Sequence, residues 1–232
     1  MRCDLSIPAC ARDRELEWRA RQSLGTSGDP IYEMVAEALR ARGIFGDCVV
    51  DVGCGQGAFW RYARDRFSTY CGIDVVRYDG FPADGEFRQA NLDQPRWPID
   101  GGIADLVVAL ETIEHLENPW AFMRNLVRLA RPRGWIVVTT PNQLSLLSLA
   151  MLIVSHRFVA FGDSCYPVHR TALLESDLRR LAGESALDEV AVHYTPRGRL
   201  PKLSWHYPRT LARLFPRALS DNVMLIGRRP LD

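Results

Sequence analysis

Glu111-Thr-Ile-Glu114-His115 puts two carboxylates and an imidazole within five residues, directly after an apolar run. If the segment turns helically, positions 111, 114 and 115 share one face, because residues three and four apart are neighbours on a helix. Two carboxylates beside one histidine form a seat for a hard or borderline divalent ion such as Mg2+ or Mn2+. Such an ion binds a hydroxyl and lowers its pKa, as zinc lowers that of water from about 15.7 to about 7. Two other readings stay open: His115 as a metal-free general base, and the group as structural packing. A further alternative turns Glu111 toward a bound cofactor.

Upstream, Val49 to Phe59 reads Val-Val-Asp51-Val-Gly53-Cys-Gly55-Gln-Gly57-Ala-Phe. Three glycines at alternate positions after an apolar strand build a tight turn whose backbone can lie against a ligand, with no Cβ to hold it off. At the carboxyl end of a parallel strand, such a loop borders the crevice where open α/β sheets bind ligands. Asp74, 21 residues beyond Gly53, ends the next apolar run. A carboxylate there can accept both ribose hydroxyls of an adenosine. Taken singly, the glycines read equally well as a plain turn and Asp74 as a helix N-cap.

These groups need a scaffold. Cys48–Val52, Thr69–Asp74, Glu86–Asn91, Ala104–Leu110 and Trp135–Thr140 read as strands, the fourth apolar enough to be buried on both faces. Helical crossovers between them, such as Phe59–Arg66, call for a parallel sheet. Ile31–Arg42 and Trp120–Ala130 carry apolar residues at helical spacing. Asp29 can cap the first of these and Pro30 suits its first turn. Leu144–Val154 and Thr171–Ala182 are two further helices. Leu187–Tyr194 and Asn222–Arg228 form a terminal antiparallel pair.

At 232 residues and 47% hydrophobic content the chain can bury one substantial core, which predicts a single domain. Within it lie an N-terminal arm (1–28), a region 143–170 that opens on an apolar helix, and a basic insertion (195–220). Net charge is +1, so no overall field attracts a polyanion. The basic residues are arginines apart from Lys202. Six cysteines without a Cys-x-x-Cys pair suit a reducing compartment. The charged N-terminus does not read as a signal peptide. The longest apolar stretch, Leu144–Val154, falls short of the roughly 20 residues a membrane span needs. A cytoplasmic location is the expectation.

Asp51 followed by Gly53-x-Gly55-x-Gly57 differs from the dinucleotide fingerprint, whose last glycine comes one residue later. It resembles the first motif of the class I methyltransferases that use S-adenosyl-L-methionine (SAM). The stretch from Arg128 through Pro132, Gly134 and Trp135 to Pro141-Asn142 resembles the same family, so the likeness is dense from Ile44 to Asn142. The resemblance implies a Rossmann-like α/β fold, a mostly parallel seven-stranded sheet flanked by helices with an antiparallel last strand. SAM would be the cofactor, held by Asp51, Gly53, Gly55, Gly57 and Asp74. Asn91 and Leu92 match the family's position beside the adenine, although many members carry Asp where Asn91 stands.

Glu-x-x-Glu-His after the fourth strand is similar to the metal motif of the ubiquinone-pathway O-methyltransferases and of the small-RNA 2′-O-methyltransferases. The latter add a histidine, for which His169 is the candidate here. The metal set would then be Glu111, Glu114, His115 and His169. Glu114, His115 and His169 would be catalytic. Metal-free relatives carry a similar Glu-His-Leu, and His169 reads equally as a loop histidine before a helix. His156, His193 and His206 read as surface or packing residues.

Eight basic residues against Asp221 and Asp232 give the chain beyond Tyr194 an excess of six positive charges. Interleaved with Trp205, Tyr207 and Phe215, they suit a phosphate, a nucleotide-linked sugar, an anionic lipid surface or RNA, and equally a solvated loop. The segment after Asn142 resembles the variable lid of methyltransferases of cell-surface polysaccharide and other secondary metabolism. The leading expectation is O-methylation of a small molecule or glycan, sugar or lipid-linked, with peripheral membrane contact compatible with the lid. RNA ribose methylation and a non-catalytic SAM-binding module are the alternatives.

Overall fold

The computed structural model describes residues 9–23, 25–200 and 205–231; the first eight residues of the expected arm and Lys202 lie outside them. Helices α1 (Ala9–Gln22) and α2 (Asp29–Ala41) precede β1 (Gly46–Val52), α3 (Trp60–Ala63), β2 (Phe67–Asp74), β3 (Glu86–Gln89) and β4 (Ala104–Leu110). A 3₁₀ turn (Ile113–His115), α4 (Pro119–Leu129), β5 (Ala130–Pro141), α5 (Leu146–Ser155) and α6 (Glu175–Glu184) follow. The described chain closes with β6 (Asp188–Tyr194), α7 (Arg209–Leu214) and β7 (Asn222–Arg228).

The strands form one sheet in the order β3-β2-β1-β4-β5-β7-β6. β1 to β5 are mutually parallel, and β7 runs antiparallel to both β5 and β6. This is the expected Rossmann-like sheet with its reversed last strand. The chain works outward from β1 to β3 and then returns to place β4 on the other side of β1. That reversal opens a crevice beyond the carboxyl ends of β1 and β4, where no crossover helix fills the gap.

Adjacent residues of one strand serve opposite faces, as the period of two requires. Val50 and Val52 join Phe122, Leu126 and Leu129 of α4 and Leu178 and Leu181 of α6 in one core layer. Val49 packs with Val35 and Leu39 of α2 and with Phe59 and Trp60 in the other. β4, between them, is buried along its whole length. Fixing β1 and β4 from both sides gives the loops that follow them a rigid base.

Four local expectations need correction. α3 is one turn long, because Tyr62 N–H and Arg66 N–H bond back only three residues, to Phe59 and Ala63, and β2 starts at Phe67. β3 ends at Gln89, which leaves Asn91 in the following turn. α6 begins at Glu175, not Thr171, since Thr171 is tied to the 3₁₀ turn through Glu114 O (3.0 Å) and Leu116 O (2.7 Å). Gly28, not Asp29, is the N-cap of α2; Asp29 instead pairs with Arg61. Cys48, Cys54, Cys71 and Cys165 are free thiols. Among the described residues no helix is long and apolar enough to cross a membrane.

Candidate active site

Gly53, Gly55 and Gly57 all take positive φ, at 71°, 51° and 71°. The space a side chain would need is used by the protein itself: a Cβ at Gly53 would lie 2.3 Å from Thr112 Oγ1, and one at Gly55 2.2 Å from Gly25 O. Gly53 and Gly55 line a cavity in the crevice. Gly57 does not; it faces Pro82 and the Tyr70 hydroxyl.

The expected acids meet this loop. Asp74 lines the cavity, accepting from Gly55 N–H (2.9 Å) and Val75 N–H (2.7 Å), and burial raises its pKa. Asp51 also lines it and accepts from the Tyr70 hydroxyl at 2.8 Å. Burial pushes the Asp51 carboxyl up to about 7, against the pull of that hydrogen bond. Asn91 and Leu92 border the same cavity, Asn91 Oδ1 accepting from Asp93 N–H at 3.0 Å.

The arm supplies a wall that its sequence did not announce. Leu16, Arg19, Ala20 and Ser23 of α1 and its exit close the cavity from outside. Arg19 is buried, donates to His115 O at 2.9 Å and pairs with Asp93 at 3.8 Å. Tyr78 Oη donates to Ala20 O (2.6 Å), and Gln56 N–H to Gly25 O (2.8 Å). Arg19 is one of several arginines on a polar helix, and Leu16 with Ala20, four apart, is a faint trace of an inner face.

Beyond β4 the expected helical face does not form. Glu111 sits at φ 53°, outside the 3₁₀ turn, so its carboxylate leaves Glu114 and His115. It accepts instead from Thr139 Oγ1 (2.8 Å) and Asn222 Nδ2 (2.7 Å). Its pKa is raised well above the usual range by burial and by Glu114. Glu111 lines the crevice cavity.

Glu114 is completely buried; Thr140 Oγ1 donates to its Oε2 at 3.3 Å while Oε1 has no partner. Burial raises its pKa. His115 and His169 meet edge to face with ring centroids 4.8 Å apart. Nδ1 of His115 lies 2.9 Å from Val168 O and Nδ1 of His169 2.6 Å from Ala160 O. A carbonyl only accepts, so each Nδ1 carries the proton; the Glu111 carbonyl also bears on the His115 ring. Burial lowers both pKa values. Glu114, His115 and His169 offer ligand atoms within 4.8 Å of one another; Glu111 does not belong to this group, which corrects the four-residue metal set to three.

A second cavity opens beyond this cluster. Glu111 and His169 border it together with Ala160, Arg197, Arg199 and His206. Glu111 thus touches both cavities, and the two histidines stand between them, His115 on the first and His169 on the second. His206 was expected at the surface or in packing; a basic excess hinted at Arg197 and Arg199, but nothing local signalled that they turn back to this site.

The family described as Methyltransferase domain matches residues 19–218, and the chain belongs to it. It is a SAM-dependent methyltransferase. Among its relatives, tocopherol O-methyltransferase of Arabidopsis thaliana is 33% identical over 127 residues, 46% of this chain and 36% of that protein. Ubiquinone biosynthesis O-methyltransferase of Aeromonas salmonicida is 25% identical over 169 residues, 68% of this chain and 71% of that protein. A SAM-dependent methyltransferase structure from Archaeoglobus fulgidus shares the fold, with a TM-score of 0.59 at 16% identity over 85% of this chain and 94% of its own. Phosphoethanolamine N-methyltransferase 2 of Haemonchus contortus, solved with SAM, gives a TM-score of 0.58 at 13% identity, covering 84% of this chain and 52% of its own.

Proposed function

We propose that the chain transfers the methyl group of SAM to a hydroxyl oxygen of a small molecule or glycan held in the second cavity. The observation that carries this is the junction of the two cavities at Glu111, His115 and His169. The names of two relatives, both O-methyltransferases, support oxygen as the acceptor atom.

The cofactor cavity suits a nucleoside. Glycine backbone at 53 and 55 admits close approach, Asp74 borders the ribose position with the acceptor capacity its backbone donors leave, and Asn91 and Leu92 border the base position. When bound, SAM supplies an electrophilic sulfonium methyl carbon. The protein's part is then to align the acceptor oxygen and to take its proton. His115, whose pKa burial lowers, offers its imidazole as the base. Val168 O, bonded to Nδ1, favours the imidazolium that forms.

The donor set also fits a divalent cation. Glu114 Oε1 is buried without a partner, and both imidazoles are oriented by backbone carbonyls in the manner of metal ligands. Glu114, His115 and His169 would hold the ion, which would supply Lewis acidity to the acceptor hydroxyl.

Asp74→Ala removes a charged acceptor, and roughly 10-fold weaker SAM binding in calorimetry is the expected result. Unchanged affinity would refute the ribose role. The acceptor atom is tested by incubating the protein with methyl-labelled SAM and paired hydroxy and amino compounds of like shape. Methyl ethers are the expected products; label found only on the amines would overturn the reading.

A further inference from the structure

The second cavity carries more cationic character than a neutral acceptor requires. Arg197 and Arg199 stand at its border, both exposed at the mouth, with His206 beside them. Arg199 is committed: Nε donates to Asp221 Oδ2 at 2.9 Å and its backbone N–H to Oδ1 at 3.2 Å. Among the described residues no hydrogen bond or ion pair reaches the Arg197 guanidinium. The two acids of the cavity are already engaged: Asp221 is matched by Arg199, and the Glu111 carboxylate accepts from Thr139 Oγ1 and Asn222 Nδ2.

The segment bearing these residues is held in place. Arg199 bridges to His206, and Tyr207 N–H bonds Gly198 O at 2.9 Å, so 198–200 and 205–207 run as a ribbon. A Cβ on Gly198 would lie 2.3 Å from Leu219 O, and Asp221 N–H bonds Arg197 O at 3.2 Å. The ribbon therefore presses on the chain entering β7, whose Asn222 also holds Glu111. Arg197 is a positioned cation on the rim of a cavity whose inner end is the proposed reaction centre.

We infer that the acceptor carries an oxyanion, a phosphate or carboxylate, that Arg197 binds at the mouth of the second cavity while its hydroxyl faces His115 and His169. This rests on the acceptor cavity proposed above and names the class of molecule that fills it. A guanidinium fork pairs with such groups through two parallel charge-assisted hydrogen bonds, which fixes direction as well as adding affinity. Arg197 is thus a specificity-determining residue.

Inorganic phosphate and acetate serve as probes, titrated calorimetrically at low ionic strength into protein saturated with S-adenosylhomocysteine, which keeps them out of the first cavity. Saturable binding of at least one is expected, weakened at least fivefold in Arg197→Gln and unchanged in Arg209→Gln, an arginine outside the cavity. Phosphate alone points to a phosphoester, acetate alone to a carboxylate, and both to the shared chemistry. Absence of saturable binding, or equal weakening in both variants, overturns the inference while normal homocysteine-nucleoside affinity leaves the cofactor site standing. Failure of that nucleoside to bind removes both.

Discussion

His115→Ala is expected to lower turnover at least 100-fold on any acceptor the wild type methylates, with SAM affinity changed by less than about threefold. The magnitude is that of losing a positioned general base, roughly 100- to 10,000-fold. Several observations support the proposed role. Val168 O fixes its tautomer, burial lowers its pKa, and it stands at the edge of the cofactor cavity against His169. The substitution keeps the backbone carbonyl that receives Arg19, so the arm remains anchored. Because a base works only when unprotonated, its lowered pKa sets the acid limb of the rate profile below the ordinary imidazole value of about 6.5. A loss under about 10-fold would refute the assignment. Chelator treatment separates the two mechanisms: a rate that falls and returns with Mn2+ supports the cation at Glu114, His115 and His169, and an unchanged rate leaves His115 as the base.

Asp51→Asn should change how stability depends on pH more than any surface substitution. Asp51 has its folded pKa raised to about 7 from 3.8. A proton is therefore held more tightly in the folded state than in the unfolded one. The corresponding stability is complete below pH 4 and is lost as pH rises through 7. Three units of displacement correspond to about 4 kcal/mol. Asparagine does not titrate, so in the absence of cofactor the variant should gain about that much on the wild type between pH 4 and pH 8. Urea unfolding at pH 4, 6 and 8 measures it. A constant difference between the two proteins across this range would show that Asp51 is not desolvated.

How far the residues alone led differs from element to element. β1, β2 and β4 were readable from their apolar runs, and Asp51, Gly53 and Asp74 could be placed at or near the ends of β1 and β2 from them. Glu111 was misplaced by assuming a helical turn. Its positive φ follows from Thr139, which accepts from its N–H and donates to its carboxylate, and Thr139 lies on β5, distant in sequence. Glu114, His115 and His169 were brought together as expected, although the arrival of His169 depends on Arg170 N–H and Thr171 N–H returning to Glu114 O. Arg19 was beyond reach, and the basic excess pointed to Arg197 without placing it. Each borders a cavity that exists only once distant segments pack together, and no local periodicity marks either one.

The contact between Gly25 O and the turn at Gly55 has a kinetic corollary. The proposed nucleoside cavity is lined by the arm, which is anchored through Arg19 on His115 and Tyr78 on Ala20, whereas no residue of α1 borders the proposed acceptor cavity. On these assignments an acceptor would exchange past Arg197 while the spent nucleoside stayed behind the arm, and loosening α1 by Arg19→Ala is expected to speed nucleoside release without touching the chemistry.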